Sequence, residues 1–132
     1  MILVDSNVVL DVWDPDPIWH AWSSAQLQNQ SLLHELAINS LIYSEISVSF
    51  ATISDLDKKL EEMEIGVLNI SRRAAFLAGK AFLQYRQRGG VKTNVLVDFF
   101  VGAHAAVLGC SLLTRDTRCY ATYFPTVPLI AP

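Results

Sequence analysis

Short apolar runs alternate with amphipathic stretches along the whole chain. "ILVD" (residues 2–5), "LAIN" (36–39), "IGVLNI" (65–70), "CSLLT" (110–114) and "VPLI" (127–130) have the length and composition of buried strands. Between them lie segments of helical period. "DPDP" (14–17) reads as a turn, with Pro17 suited to the first position of a helix that runs from Ile18 to Gln30, with Ile18, Trp22 and Ala25 on one face. Asn39 or Ser40 caps a helix to about Phe50, its apolar side Leu41, Ile42, Ile46 and Phe50. Ser54 opens a charged helix with Leu56, Leu60 and Met63 facing inward. Ser71 caps a long helix to Arg88, buried along Ala74, Ala78, Ala81, Phe82 and Tyr85, and Gly89-Gly90 stops it. Thr93 or Asn94 caps the next, which Gly109 ends. Strands that alternate with helices predict an α/β fold, a three-layer α/β/α sandwich around a short parallel sheet, as one domain over residues 1–132.

Composition agrees with a folded globule: 52% of the 132 residues are hydrophobic and 17% charged. Two cysteines, Cys110 and Cys119, make neither a disulfide framework nor a zinc spacing. The start lacks the basic region of a secretion signal, and Asp98, His104, Gly102 and Gly109 interrupt the one stretch long enough to span a bilayer. A cytoplasmic protein without a membrane partner is the expectation.

Charge changes the picture more than composition does. The net charge is −3, but residues 1–64 hold eleven acids and two lysines, a net of −9, whereas residues 65–132 hold eight Lys/Arg and two acids, a net of +6. Those two late acids are Asp98 and Asp116. Asp98 stands inside "NVLVDFFVGAHAAVLG", flanked by apolar residues on both sides. A buried, unpaired carboxylate is costly or takes up a proton, so this one needs a purpose.

In open parallel sheets, ligands bind beyond the carboxyl ends of the strands. Asp5 ends the first strand, Asp116 follows the fourth, Glu45 lies about one turn into the helix after the second, and Asp98 sits in the first turn of its helix, with Gly102 leaving space beside it. Carboxylates gathered at one edge repel one another, and hard divalent cations such as Mg²⁺ or Mn²⁺ relieve the repulsion through oxygen ligands. No phosphate-cradling glycine loop and no serine nucleophile elbow is present.

"ILVDSNVVLDVW", "LIYSEIS", "NVLVDFFVGAHAAVLGCSLLTRD" and the tail "YFPTVPLI" resemble the PIN-domain ribonucleases, and more closely the VapC-type toxins of toxin–antitoxin pairs. The resemblance spans nearly the whole chain and rests on the ordered set of four acids. It implies that Asp5, Glu45, Asp98 and Asp116 hold Mg²⁺ or Mn²⁺ for endonucleolytic cleavage of RNA (tRNA or mRNA), with Asn7 and Thr114 orienting carboxylates. It also implies a homodimer and a cognate VapB-type antitoxin. The chain departs from the family twice: Val97 stands where many relatives have proline, and Arg118 and Cys119 stand where many carry a further Asp or Asn. An inactive PIN-like module that binds RNA or antitoxin is the alternative.

The remaining polar residues divide. Arg72, Arg73, Lys80, Arg86, Arg88 and Lys92, with no acid between Ile65 and Val97, form a candidate RNA-binding strip. Arg115 and Arg118 flank the last acid and either hold the scissile phosphate or pair with Asp116. Asp11, Asp14 and Asp16 are read as solvated turn residues, His104 as a core histidine, and Trp13, Trp19 and Trp22 as a cluster in the core or at an interface.

Overall fold

A computed structural model describes all 132 residues. Five strands, β1 (Ile2–Val4), β2 (Leu36–Asn39), β3 (Ile65–Leu68), β4 (Ser111–Leu113) and β5 (Leu129–Ile130), form one sheet in the order β3-β2-β1-β4-β5. Every pairing is parallel, with Ile2 opposite both Leu36 and Ser111. Seven helices flank it: α1 (Ser6–Trp13), α2 (His20–Ser31), α3 (Ser40–Ser47), α4 (Ile53–Glu62), α5 (Arg72–Gln87), α6 (Leu96–Leu108) and α7 (Arg118–Tyr123). The three-layer α/β/α sandwich expected from the alternation is the architecture observed. No helix is long and apolar enough to cross a membrane.

The central strand is apolar on both faces because both are covered: Ile2, Leu3 and Val4 are all buried. They join Val8, Val9, Ile38, Ile42, Ile46, Phe99, Leu112 and Leu113 in a single core. The strand order turns back at β1, whose successor β2 lies on one side and β4 on the other. That switch point, at the carboxyl ends of β1 and β4, is where open parallel sheets bind their ligands.

Several helix ends follow their local chemistry. Asn39 caps α3, its Oδ1 accepting from the amides of Leu41 and Ile42 at 3.0 Å each. Ser71 caps α5 through Ala74 N. Gly109 closes α6 in the left-handed region at φ 65°, where a β-carbon is disfavoured.

Five expectations are corrected. α2 begins at His20, not Ile18, because Asp16 Oδ1 accepts from Ile18 N and Trp19 N at 2.8 Å and holds those residues in a turn before the helix. Ile18 is consequently 76% exposed, and the buried residues of α2 are Ser23 and Leu27. Thr52, not Ser54, caps α4. Neither Thr93 nor Asn94 caps α6: Val95 occupies that position and supplies no side-chain bond. The tryptophans do not cluster. Trp13 packs edge-on to Phe50 with ring centroids 5.1 Å apart, whereas Trp19 and Trp22 pair with each other. The space beside Gly102 is filled, since a β-carbon there would lie 2.3 Å from the Phe124 ring.

Candidate active site

Asp5 begins the site. It follows β1 directly and is the N-cap of α1, with Oδ1 accepting from Ser6 N at 2.8 Å. Its other oxygen collects donors from distant sequence. Thr114 Oγ1 and the Tyr120 hydroxyl each donate to Oδ2 at 2.9 Å, and Asn7 Nδ2 lies 3.4 Å from it. Asp5 is 4% exposed. Burial is the largest influence and raises its pKa; the donors from Tyr120, Thr114 and Ser6 pull it back, and the charge of Asp116 adds to the rise.

Asp98 stands in the first turn of α6, at its positive end. Burial raises its pKa first, then the charges of Asp5, Glu45 and Asp116; the result is pushed up to about 7, against a weak opposing bond from Tyr120. Glu45 lies in α3 at the exposed rim. Its pKa is raised by partial desolvation first and by the Asp5 charge, while the Ser6 hydroxyl opposes the rise. Asp116 lies in the loop after β4, where its amide donates to Thr114 Oγ1 at 3.1 Å and its Oδ1 receives Arg118 Nε at 3.4 Å. The charges of Asp5, Glu45 and Asp116 thus all reach Asp98, and Asp5 is reached by that of Asp116 and reaches Glu45. No group of three Asp, Glu, His or Cys side chains is drawn together closely enough to share one ion in this conformation.

Two residues central to this region escape the sequence reading. Tyr120, in α7, is 1% exposed and bonds Asp5; burial and the charges of Asp5 and Asp98 raise its pKa well above the ordinary phenolic range, so it stays a donor. Its signal is modest: an aromatic residue four positions after the last acid, on the inward phase of a short helix. Asp11 is not a solvated turn residue. It is 3% exposed and forms a bidentate pair with Arg115, Nε to Oδ2 at 2.9 Å and Nη2 to Oδ1 at 3.0 Å. Arg115 therefore pairs with Asp11, and Arg118 with Asp116. Cys119 lies beside the acids, and burial first, then their charges, pushes its thiol up to about 12. His104 is a core residue as expected. Asn39 Oδ1 is taken by the α3 cap, so the amide nitrogen faces His104 Nδ1 at 3.3 Å and donates to it; burial lowers the histidine pKa.

The basic residues of α5 do not form one patch at the acids. Phe82 and Tyr85 pack on Phe99, which follows Asp98 in the chain, so the C-terminal part of α5 lies against the first turns of α6. The Arg88 guanidinium lies over the Tyr123 ring at 5.4 Å. Arg72 and Arg73 open the same 16-residue helix, about 24 Å away along its axis.

A family model described as PIN domain matches residues 2–125. The chain belongs to the PIN domain family. Solved structures carry the same fold at low identity. VapBC2 of Rickettsia felis bound to a DNA fragment from its promoter aligns with a TM-score of 0.73 and 18% identity, over 100% of this chain and 99% of that one. FitAcB of Neisseria gonorrhoeae aligns at 0.70 and 18%, over 98% and 96%. VapBC-1 of nontypeable Haemophilus influenzae aligns at 0.69 and 17%, over 99% and 98%. No curated protein matches the chain in sequence.

Proposed function

We propose that this PIN domain is a divalent-metal-dependent endoribonuclease and the toxin of a toxin–antitoxin pair. The reading is carried by the placement of Asp98, a half-buried carboxyl group in the first turn of α6 that feels the charges of three other carboxylates from separate segments. Carboxylates that raise one another's pKa in this way suit a cation, and the donor set fits a hard one, being made of oxygens with no imidazole among the four. Asp5, Glu45, Asp98 and Asp116 would hold Mg²⁺ or Mn²⁺. The cation, when bound, supplies an activated water and screens the charge of the scissile phosphate.

The chain's own residues do the rest. Tyr120, Thr114 and the Ser6 amide donate to Asp5 and fix the orientation of its carboxylate. Arg118, 92% exposed at its side chain, is free to leave Asp116 for a phosphate. Arg86 and Arg88 offer further cationic contacts along the approach from α5, with Lys92 in the loop that follows, and Lys80, Arg72 and Arg73 extend the strip. The structures that share the fold include a toxin–antitoxin complex from Klebsiella pneumoniae, which supports a cognate antitoxin as partner, and a homodimer is part of the same reading.

The test is cleavage of RNA by the full chain with Mn²⁺ or Mg²⁺, wild type against Asp5→Asn. The wild type should cut, leave 5′-phosphate ends and lose at least about a hundredfold in rate on substitution. Equal rates in the two proteins would sink the proposal. The spread of the carboxylates favours one rival, a binding module without catalysis. Titration with Mn²⁺ separates the two, because the enzyme must bind the ion.

A further inference from the structure

Arg115 lies between Thr114 and Asp116, and two of its groups dock on one face of α1. Its backbone amide donates to Asn7 Oδ1 at 3.3 Å. Its guanidinium forks onto Asp11, one helical turn further along. Asp11 is itself fixed from α2: Ser23 Oγ donates to Asp11 Oδ2 at 2.7 Å, and His20 Nδ1 donates to the Asp11 carbonyl at 3.1 Å. The guanidinium also lies over the Trp19 ring at 5.7 Å.

We propose that Asp11 and Arg115 are a positioning pair: their bidentate contact fastens the loop Thr114–Asp116 to α1 and sets where Thr114 and Asp116 stand relative to Asp5. The proposal rests on the nuclease reading for its kinetic consequence and on the geometry alone for its mechanical one. A buried ion pair adds little to stability beyond what an apolar pair of the same volume would give. What a planar fork adds is orientation. That orientation is delivered to the loop that supplies both Thr114, bonded to Asp5, and the backbone that carries Asp116. A guanidinium with Nε and Nη2 both engaged on Asp11 is also poorly free to hold a substrate phosphate, so Arg115 serves the acids and not the RNA.

The variants are Arg115→Lys, which keeps the charge and loses the fork, and Asp11→Asn, made in the full chain. Three quantities are read: kcat and KM for RNA at saturating Mn²⁺, Mn²⁺ affinity by calorimetry, and hydrogen exchange of the Asp116 amide against amides of α5. The expected result is a fall in kcat of about tenfold or more with KM within about twofold, from misplacement of groups that are still present. Mn²⁺ should bind several-fold more weakly, and the Asp116 amide should exchange about tenfold faster while α5 is unchanged. The double variant should be no worse than either single one, as for residues acting as a unit. A loss confined to KM would make Arg115 an RNA contact and overturn the proposal, as would unchanged kcat in folded protein. Should Asp11→Asn not fold, Ser23→Ala removes one bond to Asp11 and should lower kcat about two- to threefold; no change there overturns it equally. Should the wild type not cleave RNA, the nuclease reading falls, and Asp116 exchange with Mn²⁺ affinity alone decides the pair.

Discussion

The Tyr120 hydroxyl donates to Asp5 Oδ2 at 2.9 Å, joining the last helix of the domain to the acid that closes its first strand. Asp5 is buried, and its carboxylate is tolerable there because Ser6 N, Thr114 and Tyr120 each donate a hydrogen bond to it. Tyr120→Phe leaves ring packing intact and removes one of these donors. The variant should fold, lose about 1–2 kcal/mol in denaturant unfolding, and bind Mn²⁺ about tenfold more weakly by calorimetry, as for removal of a group that orients a metal ligand.

Asp5 does two jobs that substitutions separate. Asparagine also caps helices, so Asp5→Asn should keep α1 near wild-type stability at neutral pH and remove the charge needed by a cation. Asp5→Ala should lose the charge and the cap, at a further cost of about 1 kcal/mol. Urea unfolding of the two variants side by side measures the difference.

Asp98 makes stability depend on pH. Its pKa is raised from 3.8 to about 7, so the folded state binds a proton that the unfolded state has already released. The stabilisation is complete below about pH 4 and is lost as pH rises towards and through 7. At about 1.4 kcal/mol per pKa unit, metal-free protein should lose on the order of 2–4 kcal/mol between pH 4 and pH 8 from this group. His104, whose pKa is lowered by burial, adds the opposite slope at the acid end, and it cancels when wild type is compared with Asp98→Asn. The variant should show a flatter profile in thermal melts, and Mn²⁺ should restore the wild type at pH 8.

Arg86 and Arg88 sit at the end of α5 where Phe82 and Tyr85 pack on α6, and Arg72 and Arg73 at the other. Replacing the first pair by glutamine should raise KM for RNA and lower the salt dependence of binding by about 0.7 for each phosphate no longer neutralised. The same change at Arg72 and Arg73 should have the smaller effect. Fluorescence anisotropy against salt concentration reads both.

How far the sequence carries depends on whether a residue's surroundings are local. The strands, the caps at Asn39 and Ser71 and the buried stripe of α5 follow from neighbours within one or two turns, and they are legible. Asp5, Asp98 and Asp116 can be singled out in the same way, since each follows a strand or opens a helix, whereas Glu45 lies mid-helix in α3 and is named only through the resemblance. Asp11 is not legible: it follows a hydrophobic run into an acidic turn, and only Arg115, 104 residues away, makes its burial tolerable. Tyr120 is similar, since its partner is 115 residues away. The start of α2 is hidden for a different reason: Asp16 spends its side chain on the amides of Ile18 and Trp19, a use that a solvated turn residue does not announce.

The contact between Gly102 and the Phe124 ring has a consequence for tuning the domain. Phe124 follows α7 directly and stands one turn beyond Tyr120, on the same buried side. The missing side chain at 102 therefore acts as a gauge for the gap between α6 and α7. A single methyl inserted there is a wedge: it tilts the ring or drives α7 outward, and the depth of the Tyr120 hydroxyl changes with it. Position 102 gives an experimenter a dial on the site that touches none of the acids.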